Sequence, residues 1–398
     1  MRFAEIPEHD ALKNGLSRAI HMDKVAHAQL FVGSVGSANL ALALAFATYL
    51  NCTTTPKDGD ACGSCAACTS MAQLTHPDLQ LVFPRKSGST TSENQADTKD
   101  LDAFRNCLKH NPFLTIEDWT AATDYDSKQC QITRKDANKI LQRLSLKAFI
   151  GKYKVVLLWL PECLNNAAAN ALLKTLEEPP PYTVFLLVSF DSEKILPTIQ
   201  SRTQQHNIPP FSDEAIQQMV QRKYSDLDVH QYREIAFLAE GNAHKAFQLV
   251  KQTTTDNFEG FSNWMRNCYS NSFAKLIIQS EVFHKLSTDA QKAFLSYALQ
   301  MLRVTLLTQL HYTPAQKLPN AEADFSEKFG QNVDVHQLKN IIALLTKSYG
   351  YLERNANAKM VYANLSIQIA KIFNPHLKTC IPLVLGMGIK ITFELCGI

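Results

Sequence analysis

Three short runs of almost unbroken apolar residues decide what this chain can fold into: 28–32 (AQLFV), 154–160 (KVVLLWL) and 183–189 (TVFLLVS). A strand that is apolar on both faces must be covered on both, which is the condition inside a parallel sheet. Helical segments separate the runs. Residues 39–50 are rich in Ala and Leu, both strong helix formers. A second helix begins at a cap on Asn165 or Asn166 and ends at Glu178, stopped by Pro179, Pro180 and Pro181. A fourth apolar run, 79–83, follows His76-Pro77-Asp78, and further helices are predicted near 101–110 and over 134–149. Strands alternating with helices define an α/β fold with a parallel sheet and helices on its faces. Beyond Pro209-Pro210 no strand signal persists, and amphipathic helices run to about residue 373.

Two segments resist this pattern. Residues 84–100 are polar and nearly free of large apolar side chains, which reads as a loop opening an insertion over about 84–130. Residues 380–398 are apolar and approach the roughly 20 residues that span a bilayer. Pro382, Gly386, Gly388, Lys390 and Glu394 interrupt them, and the cost of charge in hydrocarbon favours a packed terminal element or a disordered tail. At the other end, Arg2, Glu5, Glu8, His9 and Asp10 break up any secretory h-region, so a cytoplasmic location is expected. With 40 basic and 37 acidic residues, the net charge of +3 does not argue for a nucleic-acid surface.

The first strand runs into Gly33-Ser34-Val35-Gly36-Ser37-Ala38-Asn39-Leu40 and then a helix, the setting of a phosphate-binding loop. Such a loop reads G-x-x-x-x-G-K-[ST]: its amides cradle phosphates, its Lys reaches the terminal phosphates and its hydroxyl ligates magnesium. Here Gly33 is kept, but Ala38, Asn39 and Leu40 replace the other three chemical positions. The second strand, where acidic magnesium ligands belong, ends in Trp159 and Leu160. The Glu162 that follows reads as a solvated loop carboxylate, with a magnesium ligand as the alternative.

Of the ten cysteines, Cys52, Cys62, Cys65 and Cys68 form a C-x9-C-x2-C-x2-C cluster, while the other six are scattered and read as small buried hydrophobes. A long chain without a secretory signal is not a disulfide scaffold. Four thiolates leave no open coordination position, so the predicted metal is a structural Zn²⁺, with an iron–sulfur cluster or reduced free thiols as alternatives.

The run from Leu164 to Pro180, then 196–203 (LPTIQSRT), resembles the bacterial clamp-loader family of AAA+ ATPases. Ala26-His27-Ala28, the cysteine cluster and His76-Pro77-Asp78-Leu79 carry the same resemblance, which is strong over about 1–83 and 131–250. Ser201-Arg202-Thr203 is similar to the family's Ser-Arg-Cys motif, with Thr203 in place of Cys. The resemblance implies three domains: an AAA+ domain over 1–208 with a zinc module at 52–68, a helical lid over 209–253 and a helical collar over 254–375, leaving the tail 376–398 without a role. It further implies that Arg202, with Ser201 and Thr203, is an arginine finger supplied in trans to a neighbouring ATP site. The alternative for Arg202 is pairing with a structural carboxylate.

Within the family, motor subunits keep the loop Lys and the acidic pair, whereas an ATPase-inactive branch loses both and keeps the motif arginine. This sequence has the second pattern. Phe190, after Ser189, stands at the polar sensor near the γ-phosphate, and His244 stands at the second-sensor arginine. The resemblance therefore implies a non-catalytic stator, binding no ATP, within a hetero-pentamer with gamma/tau and delta subunits of DNA polymerase III. That assembly loads a sliding clamp on primed DNA, with no membrane partner. The alternatives are an active gamma/tau-type ATPase and a free-standing zinc-dependent DNA-binding protein, the latter disfavoured because no basic stripe accompanies the cysteines.

Overall fold

The computed structural model describes residues 1–54, 59–86, 93–123, 125, 130–227, 229–252, 257–310, 320–354 and 356–375. The chain divides into two compact units, one over Met1–Thr254 and the other over Thr255–Gln316 with Asn320–Ile398.

The first unit is built on five parallel strands in the order β2-β5-β6-β1-β7: β1 (Ala28–Gly33), β2 (Leu79–Val82), β5 (Lys154–Trp159), β6 (Thr183–Ser189) and β7 (Gln204–Ile208). A separate two-stranded pair joins β3 (Arg85–Lys86) to β4 (Cys130–Gln131) antiparallel. The apolar runs are explained by two cores, one on each face. Phe31, Leu157, Trp159, Leu186 and Val188 face α2 (Asn39–Leu50) and its neighbours. Leu30, Val156, Leu158, Phe185 and Leu187 face α6 (Arg134–Leu144) and α7 (Asn166–Glu177). Every residue of α2 is buried, which is why its sequence is apolar all round. Asn165 caps α7 by accepting the Ala168 amide.

Three local expectations change. The helix expected over 134–149 ends at Leu144, where Lys154 Nζ donates to the carbonyls of Leu144 at 2.6 Å and Leu146 at 3.1 Å. The buried Asp78 carboxylate then accepts the amides of Phe149, Ile150 and Gly151 at 2.6–2.8 Å and fixes the loop that follows. Strand β7 was not expected at all. It lies at the sheet edge, mostly exposed and polar. Finally, the insertion holds two helices, α4 (Glu93–His110) and α5 (Ile116–Thr123), and α4 begins ahead of the predicted 101. Phe104 and Trp119 from these helices pack against Phe83 and Trp159.

Between these elements lie the short α1 (Asp10–His21), α3 (Ala66–Ala72) and α8 (Pro197–Gln200). The first unit closes with α9 (Asp213–Lys223), α10 (Val229–Ala239) and α11 (Ala243–Gln252). The second unit is helical in its described residues: α12 (Asn257–Tyr269), α13 (Phe273–Lys285), α14 (Thr288–Gln309), α15 (Asn320–Asn332), α16 (Val335–Glu353) and α17 (Ala358–Phe373). Its core gathers Trp264, Phe283, Phe294 and Tyr362, and Trp264 Nε1 donates to Ser366 Oγ at 2.8 Å. The apolar tail at 376–398 lies outside the described residues. Among the described residues no helix is long and apolar enough to cross a membrane.

Candidate functional site

The glycine loop sits where a nucleotide's phosphates would lie, between the end of β1 and the start of α2. Asn39 is buried, and its Nδ2 donates to the carbonyls of Gly33 at 3.2 Å and Ser189 at 3.0 Å, tying the tips of β1 and β6 together. The Ser37 amide is turned inward onto Ser34 O. A Cβ added at Gly33 would lie 2.2 Å from Ser37 Oγ, so the loop is folded on itself. Gly36 has φ +78°, and a Cβ there would come within 1.8 Å of Asn242 Oδ1. Gly36 O also accepts the Ala243 amide at 3.0 Å, so the start of α11 rests directly on the loop.

Residues read as sensors follow the same pattern. His244 Nδ1 lies 3.2 Å from Asp118 Oδ2 and 3.1 Å from Asn111 Nδ2, both on the insertion. Phe190 packs edge-on against Trp159. Glu162 is not the solvated carboxylate expected. Burial pushes its pKa up, partly opposed by hydrogen bonds from its own backbone, Ser189 and Phe190, and its Oε2 has no partner among the described residues. Packing between the loop, α11 and the insertion joins residues far apart in sequence; only Gly241-Asn242, a turn glycine followed by a capping residue, hinted at it.

The four cysteines are brought together. Cys52 follows the end of α2, Cys65 caps α3, and the Sγ atoms of Cys52, Cys62, Cys65 and Cys68 all lie within 4.8 Å of one another. Gly63, at φ +75°, makes the tight turn between the first two of the closely spaced cysteines. Backbone amides point at the sulfurs: Cys65 N to Cys62 Sγ at 3.3 Å, and Cys62 N to Cys52 Sγ and Cys68 N to Cys65 Sγ at 3.4 Å. Amides of Ser64 and Cys65 bring the Cys62 thiol down to about 5. Burial raises Cys65, but donors from Thr53 and Cys68 outweigh it and bring that thiol to about 7. Burial pushes Cys52 and Cys68 upward. Two sulfurs are thus poised as thiolates and two need a compensating cation, so the cluster is suited to a metal ion.

Arg202 lies between α8 and β7 with its side chain about 30% exposed. Nε donates to Glu177 Oε1 at 2.6 Å, Nη2 bonds the same oxygen, and Nη1 reaches Thr198 O at 2.7 Å and Ser201 Oγ at 3.3 Å. Thr203 Oγ1 bonds Gln200 O at 2.9 Å. The motif is therefore a compact surface turn, with its arginine held by a carboxylate at the end of α7.

Five parallel strands in this order, a glycine loop after the first and a helical segment lying on that loop define an AAA+ domain. A family model described as DNA polymerase III, delta subunit, matches residues 8–212, and the chain belongs to that family of clamp-loader proteins. DNA polymerase III subunit delta' of Pseudomonas aeruginosa is 32% identical over 57% of this chain and 56% of its own length. DNA polymerase III subunit tau/gamma of Haemophilus influenzae is 27% identical over 54% of this chain and 25% of its own. The chain thus spans about half the length of the first relative and a quarter of the second. Among solved structures, a DNA polymerase III, gamma subunit-related protein from Thermotoga maritima aligns over 91% of this chain and 99% of its own, at 17% identity and a TM-score of 0.37.

Proposed function

We propose that this chain is the delta-prime stator of a DNA polymerase III clamp loader: it binds no ATP and assists ATP-driven loading of a sliding clamp on primed DNA. The observation that carries this reading is the closed loop. Asn39 is tied to the Gly33 and Ser189 carbonyls and Asn242 packs against Gly36, and the loop has neither the Lys nor the hydroxyl that would offset and coordinate a triphosphate's charge. An active gamma/tau-type ATPase is the rival, since both kinds of subunit are relatives at similar identity. Asn39, Leu40 and Trp159 weigh against it.

The metal in this reading is one structural zinc. A tetrahedral ion with zinc–sulfur bonds of about 2.3 Å has sulfur–sulfur edges of about 3.8 Å. Cys62 and Cys68 are 3.8 Å apart, which supports a single ion over a larger cluster.

Arg202 is the finger offered to a neighbouring motor subunit. Its partner Glu177 is itself half exposed, so exchanging that surface ion pair for a phosphoryl oxygen costs only about 0–1 kcal/mol. In reconstituted loader with clamp and primed DNA, Arg202→Ala should assemble normally and lower stimulated ATPase partially, because other sites in the ring keep their own arginines. Clamp loading should fall further. Finger arginines contribute about 10³–10⁵ in rate in GTPases. Arg202→Lys should not restore either rate, since an ammonium lacks the planar fork. Unchanged rates in an intact assembly would make the Glu177 pairing purely structural.

A further inference from the structure

The first nine residues run from the cysteine cluster to the start of α9. At one end, Asp60, two residues ahead of Cys62, accepts the Phe3 amide at 3.1 Å on one oxygen and the Ala4 amide at 2.9 Å on the other. The Arg2 side chain, paired with Glu5, lies against the Gly63 turn, where an added Cβ would meet its Cδ at 2.9 Å. In the middle, Phe3 and Ile6 are buried, with Phe3 edge-on to Tyr49 of α2, and Lys13 Nζ donates to Ile6 O at 2.5 Å. At the other end, the half-buried Glu8 accepts the Ser212 amide at 3.1 Å, and the His9 ring packs on Phe211.

This segment is a connector rather than a loose end. Glu8 and His9 both have left-handed backbones, at φ +57° and +59°, a conformation that Cβ sterics disfavour, so it persists only where contacts hold it. The hydrogen bonds also continue past it. Phe211 N donates to Gly241 O at 3.1 Å, and Ala243 N donates to Gly36 O at 3.0 Å. Direct contacts thus lead from the cysteine cluster, through residues 1–9 and the start of α9, to the glycine loop.

An ion closed on four sulfurs holds Cys62 in place, and with it the turn that carries Asp60. We propose that, with the cluster holding its metal as read above, residues 1–9 act as a strap through which metal binding tightens the start of α9 and the seat of α11 on the glycine loop. Coupling of this kind is reciprocal, so loosening the α9 end loosens the metal.

The test is deuterium uptake by mass spectrometry on the full chain, with metal content and zinc release measured alongside. In metal-loaded protein, Asp60→Ala should raise uptake over 1–9 and 209–216 and leave β5 and β6 unchanged. Chelation of the unsubstituted chain should raise the same two stretches. Glu8→Ala touches no cysteine neighbour, yet should speed zinc release to a chromogenic chelator roughly fivefold; Glu8→Gln, which keeps an accepting oxygen, should not. Should Asp60→Ala fail to fold, or chelation open β5 and β6 as well, the two Glu8 variants decide, since both are read in metal-loaded protein. Uptake that rises over 1–9 with 209–216 unchanged, or zinc release unaltered by Glu8→Ala, would overturn the strap. Protein without metal on elemental analysis would instead overturn the reading of the cluster, and the coupling with it.

Discussion

The glycine loop and the cysteine cluster lie close together in sequence, at opposite ends of α2, and have met opposite fates. Both are built on tight turns with a left-handed glycine, Gly36 in one and Gly63 in the other. In the loop, side chains of the protein hold the backbone: Asn39 bridges Gly33 and Ser189, and Asn242 lies over Gly36. In the cluster, four sulfurs converge, with the Arg2 side chain close by at the Gly63 turn. The difference teaches when a binding motif can lose its ligand and keep its shape. The loop's backbone is held by groups the chain already has, the Asn39 amide donating to the Gly33 and Ser189 carbonyls and Ala243 N to Gly36 O, so its strand–loop–helix shape does not depend on a ligand. Four converging thiolates carry more negative charge than the single neighbouring Arg2 can offset, and a metal ion binds all four at once.

The largest expected effect therefore falls on the cluster. Chelation, or Cys65→Ser, should release one zinc per chain and loosen the 52–72 segment, because structural zinc binding is coupled to folding with apparent free energies of order 10 kcal/mol in small zinc peptides. Elemental analysis and hydrogen exchange across α3 read this out. Iron, or no metal in protein purified without chelators, would break the comparison on this side.

On the loop side the expected effects are smaller and local. Gly36→Ala places a methyl against Asn242 and forces a left-handed alanine, together about 2–3 kcal/mol in urea unfolding. Adding Asn242→Ala should relieve the clash, leaving the backbone strain of about 1–2 kcal/mol and the loss of the cap on Lys245 N, about 1 kcal/mol, which the single Asn242→Ala variant measures. Additive losses in the double variant would mean that Asn242 does not press on the loop.

Smallest is a pH effect at Asp78, a control that belongs to neither site. Burial alone would raise its pKa, but the amides of Phe149, Gly151 and Ile150 outweigh it and hold the carboxylate below its ordinary value. Its contribution is therefore full above the unfolded carboxylate range near 3.9 and is lost as pH falls through the lower folded value. Asp78→Asn should destabilise at neutral pH by about 1–3 kcal/mol and flatten the acid limb of the stability curve. An unchanged acid limb would contradict the assignment.

How much of this was legible follows from where the information sits. The sheet was readable because β1, β5 and β6 are buried on both faces and so are apolar without interruption. Strand β7 was not, since Gln204, Gln205 and Asn207 are exposed at an edge and carry no periodic signal. The helix from Arg134 was drawn too long because its end is set by Lys154 and Asp78, neither of which is local to it. The cysteine ligands were explicit in their spacing. Arg202 was found by its motif, whereas its hold on Glu177 links different turns of the fold. The contact of Asn242 with the loop crosses some 200 residues and could be seen only once α11 was placed on the loop.

The central claim is that the glycine loop keeps the shape of a nucleotide site without its function, and titration calorimetry with Mg-ATP tests it most directly. No heat of binding up to millimolar ATP is expected for the chain as it stands. Asn39→Lys alone should not change this, because Leu40, Trp159 and the Asn242 contact remain. Saturable binding at micromolar ATP would contradict the account and make the chain an active motor of the clamp-loader family.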